Sequence, residues 1–239
     1  VKCSIDSSAS IEGQRMRVSY LCMEYAQYGD LHELLTEKHF RFDDKLLRTY
    51  FRQLIEGLEH LHSHGVAHLD LKPQNILLGE NYQLKIADFD LSYIEGDPEI
   101  RSKGTKFFRG PEVAAKSVKY PKAADIYSAG IILFVLKTGG ILPHVENMTY
   151  KGYNLNELFN NDNRKFWKCH CEFQGQPESF FSEDFKNLFN SMIAKHPKDR
   201  PSISDIKKSK WYQGDVYSDQ ELIKVMSEAF RSLSNRPSS

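Results

Sequence analysis

The run from Ala123 to Lys137 is apolar on nearly every side, and a helix of that kind is stable only where other elements wrap it completely. Its uninterrupted apolar core, Ala129 to Leu136, is far shorter than the roughly 20 residues of a membrane span, so the wrapping must come from protein. The rest of the chain supplies the wrapping. Asp43 and Asp44 open a long helix whose stripe Leu47, Phe51, Leu54, Leu58, Leu61 follows the 3.6 period, and Gly65 stops it. Asp30 can cap a short helix carrying Leu31, Leu34 and Leu35 on one face. Helical patterning continues over 152–168 and 182–193, and Pro201 suits the first turn of a helix ending near Lys210. A last amphipathic stripe joins Leu222, Val225, Met226, Ala229, Phe230 and Leu233.

Strands are few. Val1 to Ile5 and Arg17 to Tyr25 read as strands joined by a Ser-rich connection, Asp6 to Gly13. Val66 to Ile86 breaks into short apolar pieces at Gly79, Glu80 and Asn81, two brief strands around a loop. Asp88 to Glu112 is too long and too rich in Gly and charge for an ordinary connection. The expected class is α+β, mostly helical, in 239 residues that suffice for one large domain or two lobes sharing a core.

Lys and Arg balance Asp and Glu at 32 each, so no global positive field gathers nucleic acid. Cys3, Cys22, Cys169 and Cys171 are too unevenly spaced for a disulfide framework. No signal peptide or membrane span is visible, which gives a cytoplasmic or nuclear protein as the expectation. A first residue of Val1 rather than Met leads us to expect a fragment or a processed product.

The densest chemistry is His68-Leu69-Asp70-Leu71-Lys72-Pro73-Gln74-Asn75, followed by Asp88-Phe89-Asp90. One loop offers a carboxylate, an ammonium and an amide oxygen, and a hairpin over Ile76 to Ile86 can fold a second carboxylate back beside Asn75. Amide and carboxylate oxygens together suit Mg²⁺, which keeps waters and shares phosphate oxygens. Lys72 offers a point charge to a phosphoryl group and Asp70 an acceptor for a hydroxyl proton. Few reactions other than phosphoryl transfer use such a set.

These residues resemble the catalytic loop H-R-D-L-K-P-x-N and the D-F-G of the eukaryotic-type serine/threonine protein kinases. Gly104 to Glu112 resembles the end of their activation segment, and Asp125 to Gly130 their D-x-W-S-x-G. Pro197 to Pro201 resembles P-x-x-R-P, and Met23 to Leu31 the hinge that holds adenine. The resemblance implies a mostly helical large lobe preceded by the last two strands of a truncated small lobe. Its divisions are 1–28 for the small-lobe remnant and hinge, 29–212 for the large lobe and 213–239 for a C-terminal helix and tail. It also implies ATP and Mg²⁺ as cofactors and a protein Ser/Thr hydroxyl as acceptor. Asp70 would take the hydroxyl proton, Lys72 would stabilise the transferring phosphate, and Thr105 would bond both. Asn75 and Asp88 would hold Mg²⁺. Backbone groups of Glu24 and Ala26 would meet the adenine edge, Asp30 the ribose, and Leu77 the face of the base. Glu112 and Arg200 would form a buried ion pair.

The chain departs from the family in several places. Nothing before the hinge matches the glycine loop or supplies the ATP-anchoring lysine, so residues 1–239 alone are expected to transfer phosphate negligibly. Leu69 stands where the family has Arg, so phosphorylation at Ser92, Tyr93 or Ser102 is not expected to switch activity through that residue. Asp90 stands where the family has Gly, at a place where a left-handed backbone is expected.

Blander readings stand beside these. A pseudokinase would keep the fold without phosphoryl transfer. His60, His62, His64 and His68 are read as surface or capping groups rather than zinc ligands, and Cys169-His170-Cys171 as packing and loop residues. The sequon Asn147-Met148-Thr149 is expected to be silent without a secretory signal. The Leu222-to-Leu233 stripe packs on its own lobe or, as the alternative, makes a regulatory contact with a partner through 218–233.

Overall fold

A computed structural model describes residues 2–11, 14–36, 38–100, 103–144 and 149–234; Gly13, Ser102 and the Asn147-Met148 part of the sequon lie outside them. The chain opens with an antiparallel pair, β1 (Lys2–Ile11) and β2 (Gln14–Cys22), irregular in register between Ser4 and Ser7. The first strand therefore runs through most of the stretch read as a Ser-rich connection. Ladder hydrogen bonds come from the backbone, so a partner strand can recruit residues whose own β preference is weak.

Helices dominate from there: α1 (Leu31–Thr36) and α2 (Asp44–Ser63) precede the short strands β3 (Val66–Ala67), β4 (Ile76–Leu78), β5 (Leu84–Ile86) and β6 (Tyr93–Ile94). Asp43 caps α2 by accepting from Leu46 N, and Asp30 caps α1 by accepting from Glu33 N at 2.9 Å, so both expected starts form. Gly65, at φ 74, turns the chain out of α2 in the left-handed region that glycine enters without a Cβ clash.

A four-residue turn of helix, α3 (Pro111–Ala114), leads into the buried helix α4 (Pro121–Thr138). Its residues Ile131 to Phe134 have no solvent exposure. The wrapping inferred from its sequence is therefore complete: α2 packs on one side, and elements after it close the other. After it come the strand pair β7 (Thr149–Tyr150) and β8 (Tyr153–Asn154), then α5 (Leu155–Asn161), α6 (Asn163–Phe173) and α7 (Glu183–Met192), of which α6 and α7 pack against α4. At Gly130 a Cβ would come within 2.8 Å of Ile193 Cγ2, so glycine is what lets α4 approach the end of α7 so closely. Phe134 stacks on Phe181 at 5.5 Å, and Phe166, Trp167, Phe185 and Phe189 complete an aromatic core.

Two helices replace the helical run expected over 152–168. Asp162 leaves helical geometry and its side chain accepts from Lys165 N, restarting the helix as α6. The second piece reaches Phe173, so Cys169, His170 and Cys171 are helical and buried rather than loop residues. Burial pushes both thiols up. Pro201 stands outside its helix: Ser202 caps α8 (Ile203–Lys208) in a reciprocal box with Asp205, and Ser209 separates α9 (Lys210–Gln213).

The chain closes with α10 (Asp219–Ser234), whose Leu222 and Met226 are fully buried. Phe230 meets Tyr28 edge-on at 5.1 Å, while Tyr28 stacks on Tyr82 at 4.1 Å. The tail stripe thus packs on its own lobe and sits under the segment that follows β2. Arg52 Nη2 donates to Tyr212 O and Gly214 O, and Arg48 Nη1 to Asp215 O, tying the approach to α10 onto α2.

Candidate active site

Antiparallel pairing of β4 with β5 sets Ile76 opposite Ile86 and Leu78 opposite Leu84. The ladder continues one step, with Ala87 N donating to Asn75 O at 2.9 Å, so the chain delivers Asp88 beside Asn75. Asn75 Nδ2 donates to Asp70 O at 2.9 Å, which fixes the carboxamide and leaves its oxygen outside that bond. Both Asp70 carboxylate oxygens are engaged: Lys72 Nζ donates to Oδ2 at 2.7 Å, and Thr105 Oγ1 donates to Oδ1 at 2.7 Å. Lys72 also reaches Thr105 Oγ1 at 3.3 Å. Thr105, 35 residues beyond Asp70, therefore closes a triangle of hydroxyl, carboxylate and ammonium.

Asp88 is exposed and sits at φ 65. Asp90, for which the sequence suggested a left-handed backbone, is not among the positive-φ residues; the special conformation falls on Asp88, and an Asp at 90 bears no such strain. Phe89 lies 5.0 Å from the His68 ring.

The loop is held from inside by a residue to which sequence reasoning gave no role. Asp125, fully buried in α4, accepts from His68 N at 2.9 Å, from Leu69 N at 2.8 Å and pairs with His62 Nε2 at 2.8 Å. His62 is thus an internal partner rather than a surface or capping histidine. The signal was present: one carboxylate in an otherwise apolar helix has to be matched to donors inside the fold. With both amides gripped, Leu69 adopts φ 62, a conformation that costs an ordinary residue roughly 1–2 kcal/mol. Its side chain is buried against Ala67, Val113 and Ala124.

The segment after β2 lies against β4. Tyr28 N donates to Leu78 O at 3.1 Å, Leu78 N to Gly29 O at 2.9 Å, and Asp30 bridges to Leu77. Leu77 and Ala26 are half-buried, while Glu24 is exposed with its side chain 3.2 Å from Lys85 Nζ. One Asp30 oxygen serves as the cap of α1, so only the other is available to a ligand. Elsewhere the His60 and His64 rings lie 4.4 Å apart, tilted by 42°, and among the described residues no group of three or more His, Cys, Asp or Glu side chains could hold a metal.

Downstream of Thr105, Ser128 Oγ donates to Phe108 O at 2.9 Å, and Arg200 forms a two-pronged pair with Glu112 at 2.6 and 2.8 Å. Arg200 also donates to Ala123 O and Ala194 O, so every nitrogen of the buried guanidinium donates. The anchor expected from the sequence is therefore formed.

Comparisons with known proteins agree with this geometry. The protein kinase domain family matches residues 11–212. CBL-interacting protein kinase 26 of Oryza sativa subsp. japonica is 36% identical over 199 residues, covering 81% of this chain and 37% of that protein. CBL-interacting serine/threonine-protein kinase 20 of Arabidopsis thaliana is 32% identical over 81% of this chain and 42% of its own length. The chain thus spans about two fifths of the curated relatives it matches and, with the family match covering most of its length, belongs to the protein kinase domain family.

Proposed function

We propose that this chain carries the phosphoryl-transfer lobe of a protein serine/threonine kinase that uses ATP and Mg²⁺. The observation that carries the reading is the hydrogen-bonded triangle of Asp70, Lys72 and Thr105, with Asn75 and Asp88 brought to the same end of the β4–β5 ladder by the Ala87 N–Asn75 O bond. Asp70, with its carboxylate fixed at both oxygens, orients the acceptor hydroxyl and takes its proton at the end of transfer. Lys72 shares charge between that carboxylate and the incoming phosphoryl group, and Thr105 holds the pair in register. The residues fit the cation: a carboxamide oxygen and an exposed carboxylate are hard ligands, too few to enclose the ion, as Mg²⁺ with bound water and phosphate requires. Asn75 and Asp88 would hold it, and when bound it would neutralise phosphate charge. For the nucleotide, the backbone of Glu24 and Ala26 and the half-buried Leu77 would meet the base, with the second Asp30 oxygen left for the ribose.

One further feature concerns regulation. Leu69 is packed in an apolar cluster, so no guanidinium stands there to receive a phosphate from Ser92 or Tyr93. A protein with these residues should therefore keep its activity after phosphatase treatment.

The test is transfer from Mg²⁺-ATP to a Ser/Thr peptide by the full-length protein, with nucleotide binding followed in parallel. Asp70→Asn should lower kcat by about 10²–10⁴ while nucleotide still binds, and Asp88→Asn should remove the Mg²⁺-dependent part of binding. Nucleotide binding that ignores Mg²⁺, without turnover, would instead mark a pseudokinase.

A further inference from the structure

The turn that follows β2 is pinned to the lobe through Tyr28. From Met23 to Gln27 every residue but Ala26 is exposed. Gly29 N donates to Ala26 O at 3.4 Å and closes the turn. Tyr28 then fixes it twice, by its N–H on Leu78 O at 3.1 Å and by its ring. That ring meets two others, Tyr82 stacked at 4.1 Å and Phe230 edge-on at 5.1 Å, and those two lie 5.5 Å apart.

Helix α10, which carries Phe230, reaches a second wall as well. Tyr82 ends a short turn, Glu80–Tyr82, inside the β4–β5 hairpin that carries Leu77. At the start of α10, Asp219 Oδ1 accepts from Gln83 Nε2 of the same hairpin at 3.3 Å. One helix therefore touches both the turn and the hairpin, the two pieces of chain from which the base contacts of Glu24, Ala26 and Leu77 are drawn. We propose that α10 is a strut for the nucleotide site, and that Phe230 is a positioning residue that sets affinity for the base through Tyr28 and Tyr82. The inference rests on the assignment of Glu24, Ala26 and Leu77 to the base. Phe230 acts at a distance from the reacting groups. A base is held alike before and during transfer, so a looser turn weakens ground state and transition state equally and leaves the chemical step alone. Aromatic contacts of this kind are strong enough to change an affinity roughly two- to tenfold.

The experiment uses the full-length protein with Mg²⁺ and a saturating Ser/Thr peptide. It measures KM for ATP, kcat, the equilibrium Kd for ATP and the melting temperature. Phe230→Ala should raise KM and Kd about two- to tenfold while kcat moves less than about twofold. Phe230→Tyr keeps the ring and should restore the parental affinity. Met192, fully buried against Gly130 in the core, is the control: Met192→Ala should lower the melting temperature without moving either constant. Phe230→Leu keeps an apolar side chain without a ring, so it gives the same reading if Phe230→Ala fails to fold. Unchanged KM and Kd in the folded Phe230 variants would overturn the proposal, as would an equal rise in Met192→Ala. A parent that binds ATP without turnover would sink the phosphoryl-transfer reading while Kd still decides the role of Phe230. A parent that binds no ATP would overturn both.

Discussion

Arg200 has its guanidinium buried against Glu112 and donates to two carbonyls besides. Removing a buried charge strands its partner, which typically costs about 3–5 kcal/mol. Arg200→Leu should therefore lower the urea midpoint by that equivalent, whereas Lys198→Leu, two residues away and exposed, should stay within about 0.5 kcal/mol of the parent. Arg200→Lys keeps the charge but cannot make the two-pronged contact, so it should fall between them. Denaturation with far-ultraviolet detection decides the order. The residues proposed to carry the chemistry were conspicuous in the sequence for a related reason: a proton acceptor, a phosphate-facing cation and hard oxygen ligands admit few residue types, which singles out Asp70, Lys72, Asn75 and Asp88. Asp125 was not legible as the loop's anchor. Its partners His68 and Leu69 lie 57 and 56 residues away, and only the fold brings those amides to it.

At the scale of elements, α10 is where two readings of one stripe parted. Leu222 and Met226 have no exposure, and Phe230 closes over Tyr28 and Tyr82. The stripe's central residues are already covered, so a partner approaching α10 meets its polar side. Met226→Ala should destabilise by about 2–5 kcal/mol, as for other buried truncations, while Glu228→Ala on the exposed side should change little. Removing residues 215–239 should lower the melting temperature, and an unchanged melt would restore the partner-binding reading. Periodicity located this helix, α2 and α4 well because each buries one face or all faces. It located β1 poorly, since ladder bonding leaves little mark on side-chain type. The stretch over 152–168 was read without its interruption because Asp162 caps the second helix through a local turn.

For the molecule as a whole, acid sensitivity follows from His170. The ring is fully buried, Nε2 contacts Pro143 O at 2.7 Å, and Nδ1 has no partner. Burial lowers its pKa from 6.5 to about 4, with His144 adding to the fall and the Pro143 contact opposing it. The sign is then fixed: between those values the unfolded chain holds a proton that the folded chain does not, so stability is full above 6.5 and falls as pH drops toward 4. The loss is on the order of 3 kcal/mol when complete. His170→Gln can still donate to Pro143 O but does not titrate, so its denaturation midpoint should vary less steeply over that interval. Equal slopes for the two proteins would remove His170 as the cause.

Asp125 belongs at once to the most deeply enclosed helix and to the amides that shape the loop before Asp70. A loop suspended from the centre of a fold has no independent melting transition of its own. On slow heating, loss of Mg²⁺-dependent nucleotide binding and loss of ellipticity should trace one superimposable curve, and Asp125→Asn should shift both to lower temperature together; binding that fades several degrees before the helical signal would show that the suspension is slack.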